Sequence, residues 1–107
     1  MHSDNWLGFA RYFHEGFATV TKNGKHNHIC CDGKLLSDVW FDWCDDFREG
    51  FAAVKLSGKW NYIGTDGKYL LNTWLDDCLE FKEGFALVKL DDKWLYVDKE
   101  GGLHEHR

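Results

Sequence analysis

The sequence predicts an all-β fold made of three stacked β-hairpin repeats, and three observations carry that prediction. First, the segment Phe13 to Val20 (FHEGFATV) returns as Phe47 to Val54 (FREGFAAV) and as Phe81 to Val88 (FKEGFALV), at a constant step of 34 residues. Second, the runs that follow are punctuated by Asn23-Gly24, Ser57-Gly58, Asp32-Gly33 and Asp66-Gly67. Such pairs supply the φ > 0 positions that tight hairpin turns require. Third, the runs themselves are rich in aromatic and β-branched residues, which suit a pleated surface.

Other positions keep the same step. Trp6, Trp40 and Trp74 match, as do Lys25, Lys59 and Lys93, and Cys44 matches Cys78. Asp32-Gly33 and Asp66-Gly67 correspond to Glu100-Gly101. Beginning each unit at its Trp gives units 6–39, 40–73 and 74–107 within a single repeat domain, 1–107. Three units are the usual minimum for stacked repeats to bury a common core, so a whole domain is expected.

Within the middle unit, Gly50 to Leu56 (GFAAVKL) is expected as a first strand and Lys59 to Ile63 (KWNYI) as a second. After Asp66-Gly67, Lys68 to Leu71 (KYLL) is expected as a third. Trp74 to Glu80 (WLDDCLE) links to the next unit, either as a bent fourth strand or as one helical turn. Alternation places Trp60 and Tyr62 on one face of the second strand, with Asn61 and Ile63 on the other. Ala18, Ala52 and Ala86 recur on the first strand and predict a large side chain packed against each, with a Trp of a neighbouring unit as the candidate. Gly16, Gly50 and Gly84 mark a bend or bulge before the strand. No helix start or Gly-Lys-Ser/Thr accompanies them, so they do not read as a phosphate loop. The hairpins are expected to stack as a short solenoid or a twisted sheet. A closed three-fold, trefoil-like arrangement is the alternative, although its units are generally longer.

Composition narrows the function classes. Six Trp, eight Phe and four Tyr supply enough ring area to fill a core between short strands. The net charge of −5 repels phosphate backbones, so nucleic acid is not expected as a direct ligand. No apolar run approaches the ~18 residues that span a bilayer, and no membrane partner is expected. Met-His-Ser-Asp-Asn at the start lacks the pattern of a signal peptide. Adjacent Cys30 and Cys31 point to opposite strand faces, a poor disulfide framework, so reduced thiols and a cytoplasmic location are expected.

At these residues the chain resembles the WG repeat family, also called KWG repeats, of bacterial β-hairpin repeat proteins. The family pattern is a Phe-x-Glu-Gly-hydrophobic-Ala-x-Val strand, a Gly-Lys-Trp-Gly-Tyr-Ile strand, then Asp-x-x-Gly-Lys. Here it reads Phe47 to Val54, Gly58-Lys-Trp-Asn-Tyr-Ile63 and Asp66-Gly-Lys68. The glycine after the Trp is Asn27, Asn61 and Leu95, and the Trp itself is His26 in the first unit. The resemblance implies an interaction module without a shared active site. A lesser likeness links the GKWNYI segment to choline- and glucan-binding repeats, whose period is shorter.

Several constellations bear on chemistry. His26, His28 and Cys30 alternate onto one strand face and are the candidate metal ligands, since His and Cys suit zinc. The simpler reading is an atypical end unit whose core aromatics have become polar. His104 and His106 read as a solvated tail. Asp42, Trp43, Asp45, Asp46, Asp76, Asp77 and Glu80 form an acidic and aromatic linker edge that recurs per unit. It reads as a solvated face or as an electrostatic surface for a basic partner. Glu15, Glu49 and Glu83 read as carboxylates that accept backbone N–H groups at a turn. No nucleophile–base pairing stands in a recognisable setting, so no catalytic residue, cofactor or metal is expected.

The expected function is a non-catalytic protein–protein interaction module with another, basic protein as partner. In its sharper form this is a small acidic inhibitor of a nucleic-acid-binding partner. A homodimer through an edge strand is a further arrangement. The alternative is a glycan- or choline-binding module, which two solvent-exposed Trp side by side would favour.

Overall fold

The computed structural model describes residues 13–105, and these form nine strands in three antiparallel sheets. β1 (Phe17–Lys22) pairs with β2 (Lys25–Cys30). The second sheet is ordered β3 (Trp43–Cys44), β4 (Phe51–Leu56), β5 (Lys59–Gly64). The third is ordered β6 (Asp77–Cys78), β7 (Phe85–Leu90), β8 (Lys93–Asp98), β9 (Leu103–Glu105). The body is elongated, 51 × 26 × 19 Å. The hairpins therefore form an open stack, and the closed three-fold alternative does not hold.

Turn chemistry sets each hairpin. Asn23-Gly24, Ser57-Gly58 and Asp91-Asp92 all have φ > 0 at both positions, which matches the right-handed twist of the flanking strands. The Glu-Gly pairs work the same way. Glu49 has φ 54° and Gly50 φ 90°, with Arg48 and Phe51 bridged on either side. The expected bend is thus a two-residue turn that joins the linker to the first strand.

The linker is a bent strand and contains no helical turn. Phe41 exchanges backbone hydrogen bonds with His26 of β2, and Asp42 and Asp45 then donate to Lys55 and Ala53 of β4. Leu75 bonds Trp60 in the same way before Asp76 and Leu79 donate to β7. Each linker therefore covers the outer edge of one hairpin and extends the sheet of the next.

The expected third strand is a continuous strand only in the last unit, as β9; in the first two units it is reduced to single bridges, Ile29–Leu35 and Ile63–Tyr69. Buried Asn61 explains the difference. Its Oδ1 accepts the N–H of Tyr62 (2.8 Å) and of Leu71 (3.2 Å), while its Nδ2 donates to the Leu71 carbonyl (3.0 Å). Asn27 repeats part of this clamp with His28 and Ser37. The clamp holds the chain where it leaves the hairpin to cross over. In the third unit Leu95 has no polar side-chain atoms, and β9 stays paired along β8.

The core lies between sheets, in layers. One layer joins Phe17 of the first hairpin to Phe41, Cys44 and Phe47 of the linker and to Ala52, Val54 and Ile63 of the second hairpin. The next joins Ala53 and Tyr62 to Leu75, Cys78, Phe81, Ala86, Val88 and Val97. Trp40 packs against the cluster containing Ala18, and Trp74 against the one containing Ala52. The two hairpin faces thus serve different neighbours, one turned to the unit before and one to the unit after.

Candidate functional site

Three interactions recur where one unit meets the next. The Glu15 carboxylate accepts the N–H groups of Glu49 (2.6 Å) and Gly50 (2.7 Å), and the Glu49 carboxylate accepts those of Glu83 (2.6 Å) and Gly84 (2.8 Å). The turn that each Glu serves is that of the following unit. These bonds, led by the one from Gly84, hold the Glu49 carboxyl below its ordinary range. Phe17 stacks on Phe47 at 4.5 Å, and Phe51 on Phe81 at 5.0 Å. A ring on the second strand meets the same Phe edge-on, His28 against Phe47 and Tyr62 against Phe81. The His28 Nε2 lies 2.7 Å from the Asp45 carbonyl, and the Tyr62 hydroxyl donates to the Leu79 carbonyl.

The last unit presents the same face without a following unit upon it among the described residues. Phe17 is 9 % exposed and Phe85, its equivalent, is 47 % exposed. His28 and Tyr62 are buried, and Tyr96 at the same position is half-buried. Phe85, Tyr96 and His104 line an open groove of about 640 Å³ with Lys82, Glu83 and Asp98 on its walls. His104 sits 2.8 Å from the Asp98 carboxylate. That contact and the N–H groups of Gly102 and Glu100 pull the Asp98 carboxyl down to about 2. Leu79 and Glu80 lie beside this groove in an adjoining recess with Leu87. The arrangement is an apolar floor with charged rims, suited to a docked side chain or turn.

Of the linker residues singled out from sequence, Asp45 and Glu80 line the recess beside this groove and the others line neither, and each has an internal partner. Asp42 receives the Lys25 ammonium at 2.5 Å and the Ser57 N–H at 2.9 Å. Asp76 does the same with Lys59 and the Asp91 N–H. The lysine bond, with the turn N–H second, lowers both carboxyls. Asp45 accepts the Trp43 indole N–H, Asp77 accepts the Cys78 N–H, Asp46 lies 3.4 Å from His14, and Glu80 lies 3.1 Å from Arg48. Sequence reasoning missed Phe85, Leu87 and Tyr96 as surface.

His26, His28 and Cys30 share a face turned towards the second unit. The His26 Nδ1 lies 3.2 Å from the Thr21 hydroxyl and its ring packs on Trp43. Burial pushes the His28 imidazole below its ordinary value, and its Nδ1 has no hydrogen-bond partner. No three metal-ligating side chains converge among the described residues. Cys44 and Cys78 are buried, and burial raises the Cys78 thiol to about 12, so neither is a reactive thiolate. Trp43 and Trp94 are exposed but belong to different sheets, so they form no paired platform.

A model of the WG-containing repeat matches residues 8–25, 32–60 and 62–94. No curated protein and no solved structure is significantly similar to the chain. The repeat step, the stacked hairpins and the three matched segments agree, and the chain belongs to the family of proteins built from WG-containing repeats.

Proposed function

We propose that this repeat domain is a non-catalytic protein-binding module, and that its contact surface is the uncovered sheet face of the third hairpin. The observation that supports the reading is the rise in exposure from Phe17 to Phe85 at equivalent positions. An apolar face of this kind, with aromatic anchors and a polar rim, has the composition of an interface core. Glu83 on its rim, together with the net charge of −5, favours a basic partner and speeds its encounter, while Glu80 and Asp98 already face Arg48 and His104. Asp42 and Asp76 contribute less, because lysines of the same chain already neutralise them. The sharper reading, an acidic inhibitor seated in a basic groove, rests on charge alone. Among the described residues the exposed Trp43 and Trp94 belong to different sheets, so the glycan reading has less support.

The test uses paired variants. Phe85→Asp with Leu87→Lys changes the open face, while Trp43→Ala changes the linker edge. Protein retained from host extract by the wild type and by Trp43→Ala, and lost by the open-face variant, fits the proposal. Retention unaffected by the open-face changes overturns it.

A further inference from the structure

We propose that the partner of the open face is a second copy of this chain, joined head to tail so that the repeat stack continues from one molecule into the next. The inference rests on the open face being a protein-binding surface and goes further by naming the occupant.

The internal junctions define what the open end accepts. Each needs a Phe at the position of Phe47 and Phe81 and a Glu-Gly turn with two outward N–H groups. The same chain carries that pair a third time, at its other end. Phe13 is the repeat equivalent of Phe47 and Phe81, yet it is 48 % exposed where they are 1 % and 3 %. Glu15 and Gly16 form the same φ > 0 turn, and their N–H groups donate to nothing among the described residues. At the opposite end, Glu83 accepts no backbone N–H among the described residues, and Phe85 lacks the stacked Phe that Phe17 and Phe51 have. Among the described residues, the half of the junction left open at one end therefore matches the half left open at the other. Seating the second copy's Phe13 on Phe85 would let Glu83 clasp that copy's Glu15-Gly16 turn and would set the Phe13 edge against Tyr96.

The net charge of −5 on each copy opposes the pairing, so this occupant replaces the basic partner, and the junction itself must offset the repulsion locally. The clasp sets a carboxylate against two backbone donors, a charge-assisted pairing that two carboxylate-rich surfaces meeting face to face would not provide. The interface is heterologous, so it propagates into a filament or closes into a ring, unlike a symmetric edge-strand dimer.

Sedimentation velocity of the whole chain across a concentration series tests it. The tail variant Glu83→Arg with Phe85→Ser blocks one half, and the head variant Phe13→Ser blocks the other. All three changed residues are exposed, and far-UV circular dichroism verifies that each variant is folded. The wild type is expected to form species larger than a dimer or a discrete ring. Each variant alone is expected to be monomeric. An equimolar mixture of the two is expected to form a dimer and nothing larger, because one good head meets one good tail. A wild type that stays monomeric at its highest soluble concentration overturns self-association. So do variants that associate like the wild type, or a mixture that stays monomeric. If the wild type is monomeric while the open face still determines retention of a different protein, self-association fails and the binding-module reading stands. If neither occurs, both fail.

Discussion

Replacing Asn61 by the leucine that the third unit carries at the same position removes three hydrogen bonds at one stroke. The Tyr62 N–H, the Leu71 N–H and the Leu71 carbonyl would each lose a side-chain partner. Asn61 is fully buried and Leu71 nearly so, which keeps water from replacing those bonds. An unsatisfied buried backbone group costs about 1–3 kcal/mol, so the three together cost at least about 3 kcal/mol before the chain relaxes. Relaxation along the path of β9 recovers part of this, but it pulls on the linker that must still bring Leu75 to Trp60. For a domain of this size about 3 kcal/mol lowers the melting midpoint by roughly 12–20 °C. Thermal unfolding followed by circular dichroism measures it, with Asn72→Leu as a solvent-exposed control expected within about 0.5 kcal/mol of the wild type. An Asn61→Leu variant that melts within a few degrees of the wild type would refute the clamp as the device that turns the chain.

Three further predictions follow from the repeat junctions and turns. Gly67→Ala should destabilise more than Gly33→Ala in urea unfolding. Both have φ > 0, but only at Gly67 would the new Cβ stand 2.9 Å from the Leu36 carbonyl of the previous unit. His28→Tyr should remove a pH dependence. Burial lowers the folded imidazole below its ordinary 6.5, so the unfolded chain binds the proton first. Wild-type stability is therefore full above pH 6.5 and falls as the pH drops from there towards the folded value. The Tyr variant should show no such fall in denaturant midpoint between pH 7 and 5.5. Asp92→Gly should raise the unfolding free energy, measured by urea denaturation, by about 0.5–1 kcal/mol, because Asp92 holds φ 67° in the second turn position where glycine carries no Cβ penalty.

Much of the fold was legible because the repeat makes the same local statement three times. The 34-residue step, Asn23-Gly24 and Ser57-Gly58 lead directly to the hairpins, and a bent linker strand was among the expected forms. The third strand was not legible, because it depends on whether Asn or Leu follows the second-strand aromatic. Asn27 and Asn61 clamp the crossing chain in the first two units, and Leu95 stands at that position where β9 pairs along β8. Glu15 and Glu49 accept backbone N–H groups at a turn as expected, whereas Glu83 accepts none among the described residues, and local spacing cannot show that the turn served lies 34 residues onward. The acidic linker edge looked like free surface for a related reason. Lys25 and Lys59, which bind Asp42 and Asp76, lie 17 residues away in sequence. The open face lay hidden within the repeat pattern, since Phe85 has the same sequence context as buried Phe17, and only position in the stack separates them.

The most direct test of the central claim places a photo-crosslinking amino acid at Leu87 on the open face, and separately at Asn72 in an exposed loop, in the full chain expressed in its host. The account predicts a discrete protein adduct from position 87 that disappears when Phe85→Asp is added, and none of that adduct from position 72. An adduct whose mass is a multiple of the 12.5 kDa chain would identify the second copy as the occupant. No adduct from position 87, or the same adducts from both positions, would contradict the claim that this face is the binding surface.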